Sequence, residues 1–216
     1  MSDKLALAGL RREYTLAGLR RADLDPDPLA QFTKWFQQAL AANLPEANAM
    51  TLATSDKLGH PSARIMLLKA VDERGFVFFS NYESRKGREL EMNPNAALLF
   101  YWPELERQIR VAGTVARISR EESVQYFKTR PKGSQLAALI SDQSEPIPDR
   151  GLLEKRMAAL FAKYPGEDVP TPPGWGGYCL TPHRLEFWQG RPSRLHDRFE
   201  YLRLLDNSWQ IDRLAP

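Results

Sequence analysis

The chain has 216 residues and is poor in the groups that most readily announce a function: one cysteine, three histidines and a net formal charge of only +3. A lone Cys179 excludes an internal disulfide and agrees with a reducing compartment; its simplest role is that of a small buried hydrophobe. His60, His183 and His196 are spread along the chain without a cysteine partner set, so zinc chemistry is a poor fit and no metal is expected. No G-x-G-x-x-G follows a strand-like run, and there is neither a Walker loop nor a G-x-S-x-G elbow, which removes the ready-made dinucleotide, nucleotide and serine-hydrolase readings. No apolar run approaches the roughly 18 residues of a membrane span, and "MSDKLALAGLRREYTLAGLRR" lacks an apolar core with a small-residue cleavage site. The expectation is a cytoplasmic protein with no membrane partner. A charge excess this small does not demand nucleic acid, and the basic and aromatic residues show no nucleic-acid-binding signature.

What is present is ordinary for a globular protein, with 43% hydrophobic and 26% charged residues, enough for a full core. Residues 1–25 mix Arg11, Arg12, Arg20 and Arg21 with isolated apolar positions and keep no period, so they are expected to be a mobile arm that orders on contact. Residues 26–216 are expected to form a single domain. "DPDPLAQFTKWFQQALAANLP" reads as a helix capped by Asp27, with Pro28 in its first turn and Phe32, Trp35, Phe36, Ala39 and Leu40 as its apolar stripe. Strands are expected near 49–54, 61–71 and 75–80, then in "NAALLFYW" and "RQIRVAGTVARIS", and finally near 176–189, 195–205 and 208–213. Helices are expected at about 120–129, 134–141 and 150–163, and "YPGEDVPTPPGWGG" reads as a linker. Hairpin spacings make the sheet antiparallel, and six or more such strands point to an α+β fold built on a closed or nearly closed barrel with helices at its ends and sides.

Two helix starts carry the wrong charge. Ser84 is a natural N-cap, yet Arg85 and Lys86 follow it, where the helix dipole favours acids by about 0.3–1 kcal/mol per charge. Free amides, a hydroxyl and two cations at one helix start suit a phosphate, although arginines on a solvated helix start are also common. The second lies in "ISREESVQYFKTRPKGSQLAALIS": a capping box from Ser119 to Glu122, a break at Arg130-Pro131, and a restart at Ser134. Tyr126 and Arg130 share a face at i,i+4, and Tyr126 is either a core residue or part of a second anion site.

In "RPSRLHDRFEY", Arg194, His196 and Arg198 recur at every second position, which in an extended segment puts them on one face. That face is either solvated or the wall of a pocket for an anionic or electron-rich ligand. Arg64 and Lys69 in "RIMLLK" have an odd spacing, so a bulge or strand end must re-aim one of them. Gln108 and Arg110 share a side, with the glutamine directed inward toward a polar ring edge, and Trp188 is either a flat wall for an aromatic ligand or core.

Together, "RIMLLK", "FFSNYESRKG", "LERQIRV", "YFKTRPKGSQLAALIS", "WGGY", "EFWQG", "RLHDRFEY" and the terminal "WQIDRLAP" resemble, in order and nearly end to end, the pyridoxine (pyridoxamine) 5′-phosphate oxidase family. The resemblance implies an antiparallel split β-barrel and a homodimer with FMN at the subunit interface. It implies an FMN site at Arg64, Ile65, Met66, Leu67, Leu68 and Lys69, with Phe79, Ser80, Arg85, Lys86, Gln108, Gln143, Ser144, Trp188 and Arg198. The substrate phosphate would lie on Lys69, Tyr126, Arg130 and Ser134, with Arg194 and His196 over the pyridine ring and Arg11 to Tyr14 in the arm that closes over substrate. Relatives vary between Tyr and Phe at position 79 and between Thr and Ser at 80, so Phe79 forgoes a hydroxyl contact. The implied reaction converts pyridoxine 5′-phosphate or pyridoxamine 5′-phosphate to pyridoxal 5′-phosphate, with hydride transfer to FMN and reduction of O2 to hydrogen peroxide. A non-catalytic flavin or pyridoxal-phosphate carrier on the same fold and a basic RNA-binding module are the rival readings.

Overall fold

The computed structural model describes residue 9, residues 13–166 and residues 168–216. The expected Arg11 contact lies outside the described residues. Asp27 caps α1 (Pro28–Ala41), its carboxylate accepting from the Leu29 amide at 2.9 Å, with Pro28 in the first turn. Phe32, Trp35 and Ala39 are buried, whereas Leu40 is 55% exposed. Leu40 falls off the edge of a helical stripe only about 100° wide.

The chain continues through β1 (Ala49–Ser55), β2 (Pro61–Leu67), β3 (Ala70–Asp72), β4 (Gly75–Asn81), α2 (Arg85–Met92), β5 (Asn95–Trp102) and β6 (Arg107–Arg117). Three helices follow, α3 (Arg120–Thr129), α4 (Lys132–Ile140) and α5 (Arg150–Lys163), and then β7 (Trp175–Gln189), β8 (Asp197–Arg203) and β9 (Trp209–Leu214). The helix expected to restart at Ser134 begins two residues earlier, with Pro131 at its N-cap (φ −53°). A proline ahead of the first turn has no N–H to leave unpaired there, so the helix starts directly after it.

The chain divides into two compact units, one of Met1–Ala47, Phe100–Arg110 and Arg184–Pro216, the other of Asn48–Leu99 and Val111–His183. The strand order is β2-β1-β5-β6-β7-β4-β3. β1 pairs antiparallel with β2 and with β5, and β4 pairs antiparallel with β3 and with β7. β2 and β3 stand at opposite ends of this order, yet only Leu68 and Lys69 separate them in the chain. Leu68 N donates to Asn48 O at 2.9 Å, beside β1, and Lys69 N donates to Val77 O at 2.9 Å, in β4. From Leu67 to Ala70 the chain spans at most about 11 Å, so the two ends of the sheet must curl together, and the result is the antiparallel split barrel. The single strand expected over 61–71 is therefore two, and that strand end is what re-aims Lys69 relative to Arg64.

Met50, Leu52, Phe76, Phe78, Leu98, Val111, Tyr178 and Leu180 fill the barrel side of the larger unit, and a second cluster of Phe127, Leu136, Val169 and Trp175 lies under α3, α4 and α5. The smaller unit has its own core. Phe32 meets Phe100 edge-on with ring centroids 5.1 Å apart, and Phe187 meets Trp35 at 5.2 Å and Tyr201 at 5.5 Å. In this unit β8 pairs antiparallel with β7 and with β9.

The alternating cationic strand does not form. Arg194 closes a 3-10 turn, Pro192–Arg194, and Ser193 (φ 56°) and Arg194 (φ 61°) are both left-handed; β8 begins only at Asp197. Pro192 starts a turn rather than a strand, and two left-handed residues cannot keep the extended alternation that a shared face requires. Only Arg198 of the three lies in the strand. Gln108 and Arg110 do share a face, but the buried row of β6 is Ile109, Val111, Gly113 and Val115, so the glutamine is not directed into the core. An outward Gln108 is the necessary partner of an inward Ile109 at strand period two.

Candidate active site

Ser84 caps α2 as expected, its hydroxyl accepting from the Gly87 amide at 3.3 Å. The cation that follows is unusual: Lys86 is only 8% exposed. Its Nζ donates to Ser80 Oγ (3.2 Å), Ser84 Oγ (3.3 Å) and Gln143 Oε1 (2.9 Å), all neutral oxygens. Burial pushes this ammonium down to about 8, the charge of Arg64 adding to the shift and that of Glu89 opposing it. Arg85 is exposed; its Nε donates to Glu89 Oε1 at 2.8 Å, and its amide donates to Ser144 Oγ at 3.2 Å. Ser144 itself is left-handed (φ 77°). Arg64 is held by Leu52 O (3.1 Å), Thr54 Oγ1 (2.6 Å), Ser62 Oγ (2.6 Å) and Glu89 Oε2 (3.3 Å).

A cavity of about 610 Å³ opens in the larger unit. Ile65, Met66, Leu67 and Lys69 line it, as do Phe79, Ser80 and Gln143, while Leu68 is buried in the core. Tyr126, Arg130 and Ser134 line the same cavity. The second anion site is therefore a wall of this space, and the first reaches it through Ser80 and Gln143, the partners of Lys86. Tyr126 is core and cavity wall at once: its ring stacks on Phe79 with centroids 3.9 Å apart, and Trp175 lies alongside both, 5.4 Å from Phe79 and 6.3 Å from Tyr126. Position 79 thus contributes a flat apolar face where a hydroxyl is missing.

Arg130 lies over the Trp175 ring at 4.8 Å, its Nη1 buried without a hydrogen-bond partner among the described residues, and burial pushes its guanidinium down from the usual value. A buried donor left unpaired costs about 1–3 kcal/mol, and a phosphate oxygen in the cavity would satisfy it. Lys132, also near this helix start, turns away to donate to Pro165 O at 2.8 Å. A cavity of about 770 Å³ in the smaller unit makes a useful contrast. Its arginines are compensated: Arg20 by Asp23 (3.0 Å), and Arg191 (3.6 Å) and Arg213 (2.8 Å) by Asp197.

The other expected site residues fall in the smaller unit. Trp188 is half-buried, its ring 4.6 Å from His196 and 5.5 Å from Tyr14. The Arg191 amide donates to His196 Nδ1 at 3.1 Å, and burial, with the nearby charge of Arg194, lowers the affinity of this imidazole for a second proton. Arg198, opposite Trp188 across the strand pair, donates from Nε to Glu186 Oε1 at 2.8 Å. Arg194 is exposed. Sequence reasoning missed Glu89, Thr54, Ser62 and Trp175; the only hint was the i,i+4 spacing of Arg85 and Glu89. Among the described residues no group of three or more His, Cys, Asp or Glu is placed to hold a metal ion, and no helix is long and apolar enough to cross a membrane.

The sequence model described as pyridoxamine 5′-phosphate oxidase matches residues 36–164. The chain belongs to that family. A second model, described as the pyridoxine 5′-phosphate oxidase C-terminal dimerisation region, matches residues 175–216. Family members named pyridoxine/pyridoxamine 5′-phosphate oxidase are similar over nearly the whole length. The one from Nostoc punctiforme is 57% identical over 210 residues (97% of this chain, 98% of the relative), and that from Burkholderia mallei 59% over 212 (97% and 99%). Among solved structures, PhzG from Burkholderia lata in complex with tetrahydrophenazine-1-carboxylic acid superposes with a TM-score of 0.89 at 31% identity, over 95% of this chain and 100% of that one. A pyridoxamine 5′-phosphate oxidase-related FMN binding protein from Nostoc punctiforme shares the fold, with a TM-score of 0.70 at 20% identity over 89% and 98%. Family membership makes the chain an oxidoreductase.

Proposed function

We propose that this chain is an FMN-dependent oxidase that converts pyridoxine 5′-phosphate and pyridoxamine 5′-phosphate to pyridoxal 5′-phosphate, working as a cytoplasmic homodimer. The observation that carries the reading is a pair of cations that, among the described residues, no carboxylate hydrogen-bonds: Arg130, its Nη1 bare, in the cavity wall beside Ser134, and Lys86, whose partners Ser80 and Gln143 line the same cavity. Two phosphates, one on the flavin and one on the substrate, are what such a pair accommodates. The dimerisation region and the identity to relatives bearing this activity's name support it further.

When bound, FMN supplies the hydride acceptor and the route of electrons to dioxygen, which leaves as hydrogen peroxide. The residues from Arg64 to Lys69, with Phe79, Ser80, Arg85, Lys86, Gln108, Gln143, Ser144, Trp188 and Arg198, would hold it. Lys69, Tyr126, Arg130 and Ser134 grip the substrate phosphate, so that binding energy from the phosphate positions the reacting carbon. Arg194 supports the substrate electrostatically. His196 orients it: with Nδ1 accepting from the Arg191 amide, the neutral ring carries its proton on Nε2 and meets the substrate as a donor. Residues 1–25 act as an arm that closes over substrate through Arg11 and Tyr14, and residues 26–216 work as one catalytic domain.

Purified protein should be yellow and should release peroxide when given pyridoxine 5′-phosphate in air, with a steep loss of rate in Arg194→Ala. A ligand-binding protein with no turnover would point to a carrier, and a colourless one that takes up no added FMN yet retains RNA, with a strong salt dependence, to an RNA-binding module. The likeness to PhzG favours a second reading, a tricyclic carboxylic acid as substrate. Turnover of such an acid in preference to pyridoxine 5′-phosphate would decide for it.

A further inference from the structure

Glu89 is a buried carboxylate one turn into α2, behind its cationic start, where an acid near a phosphate site would ordinarily weaken binding. It is only 3% exposed and fully engaged: Oε2 accepts from Thr54 Oγ1, from Ser62 Oγ at 2.6 Å and from Arg64 Nη2 at 3.3 Å, and Oε1 accepts from Arg85 Nε at 2.8 Å. The contacts tie together β1, β2 and α2. Burial alone would push this carboxyl up; the hydrogen bonds from Ser62, Thr54 and Arg85 and the charge of Arg64 bring it down to about 2 instead, so it is ionised at any pH at which the protein works.

The way Arg85 is held matters most. Glu89 takes its Nε, and among the described residues neither terminal nitrogen of this guanidinium makes a hydrogen bond, so both remain available to an oxyanion. Arg64 is pinned through both terminal nitrogens at the same time. Arg64, Arg85 and Lys86 set against Glu89 leave two positive charges, which matches the charge of about −2 on a phosphate monoester near neutral pH.

We propose that Glu89 is a positioning residue for the flavin phosphate: it orients Arg85 toward that phosphate, fixes Arg64 as a positive charge within the cluster and leaves Lys86 as the uncompensated charge. The inference rests on the reading of FMN as cofactor. Preorganisation outweighs the repulsion between Glu89 and the phosphate, because a mobile arginine must lose side-chain freedom on binding and a clamped one has already lost it.

The test compares FMN with riboflavin, which has the same ring system and no phosphate, by fluorescence titration of the flavin-free protein. In Glu89→Gln, FMN binding should weaken by about tenfold or more, the scale of one charge-assisted hydrogen bond, while riboflavin binding stays as in wild type. Ser62→Ala, which removes one partner each of Glu89 and Arg64, should show the same selective loss to a smaller degree and serves if Glu89→Gln does not fold. Tighter FMN binding in Glu89→Gln would mean that the carboxylate merely repels the phosphate, and equal weakening of FMN and riboflavin would mean a role in folding alone; either overturns the proposal. A wild-type protein with no preference for FMN over riboflavin would instead overturn the cofactor reading itself.

Discussion

Arg130 and Lys86 are both cations taken partly out of water, and each has a measurable consequence. Replacing Arg130 with methionine keeps the packing on Trp175 and removes the unpaired donor. The KM for pyridoxine 5′-phosphate should then rise by about 10–100-fold, the cost of one hydrogen bond to a charged group, with a much smaller change in kcat; steady-state peroxide assays separate the two. Lys86 titrates at about 8 rather than 10.5, so above that value its charge fades. FMN affinity should fall as pH rises from about 7 to about 9 while riboflavin affinity does not follow, which paired titrations at each pH would show. For folding the sign is reversed. Between the two values the unfolded chain holds a proton that the folded one has released, so this lysine makes the flavin-free protein more stable as pH rises through that window.

At the level of elements, α2 stands where it does because its first turn lies against the chain that leaves β4. A Cβ on Gly87 would come within 2.0 Å of Tyr82 O and 2.9 Å of Asn81 O. Gly87→Ala should therefore cost about 1–3 kcal/mol through overpacking, read as a drop of several degrees in Tm, and it should loosen FMN because Arg85 and Lys86 ride on the same turn. Gly133, at the start of α4, has nothing within 4 Å of the corresponding position. Gly133→Ala should be neutral or stabilising by up to about 1 kcal/mol, and thermal melts of the two variants side by side test the contrast. The split between β2 and β3 belongs to this scale as well. Leu68 and Lys69 each answer to a different strand, and that is how one short segment delivers Arg64 to the Glu89 cluster and Lys69 to the cavity of about 610 Å³.

For the whole molecule, the dimerisation region at residues 175–216 contains Trp188 and Arg198, whereas Lys86 and Arg130 belong to the larger unit. With the flavin held between two subunits, each site would draw its phosphate cluster from one chain and its Arg198 from the other. Lys86→Met and Arg198→Met should then each empty both sites of a homodimer. Co-expressed, they should form mixed dimers in which one site is entirely wild type and the other doubly altered. FMN content and peroxide release should return to about half the wild-type level per dimer. No recovery in the mixed dimers, with sedimentation confirming that they form, would place each site within a single chain.

Local chemistry alone determined a good deal: Asp27 and Pro28 start α1, Ser119 starts α3, Ser84 starts α2 beneath its two cations, and strict alternation marks β1 and β6. Caps and periodicity act within a few residues, so they are legible in one dimension. Gln143 and Ser144 were named only through family resemblance, since nothing beside them in the chain hints at Lys86 or Arg85. The left-handed pair at Ser193 and Arg194, the division of one expected strand at Leu68, and the joining of Glu89 to Thr54 and Ser62 were decided by tertiary structure. Each depends on groups far apart in the chain, and charges become a site only when the curl of the sheet removes them together from water.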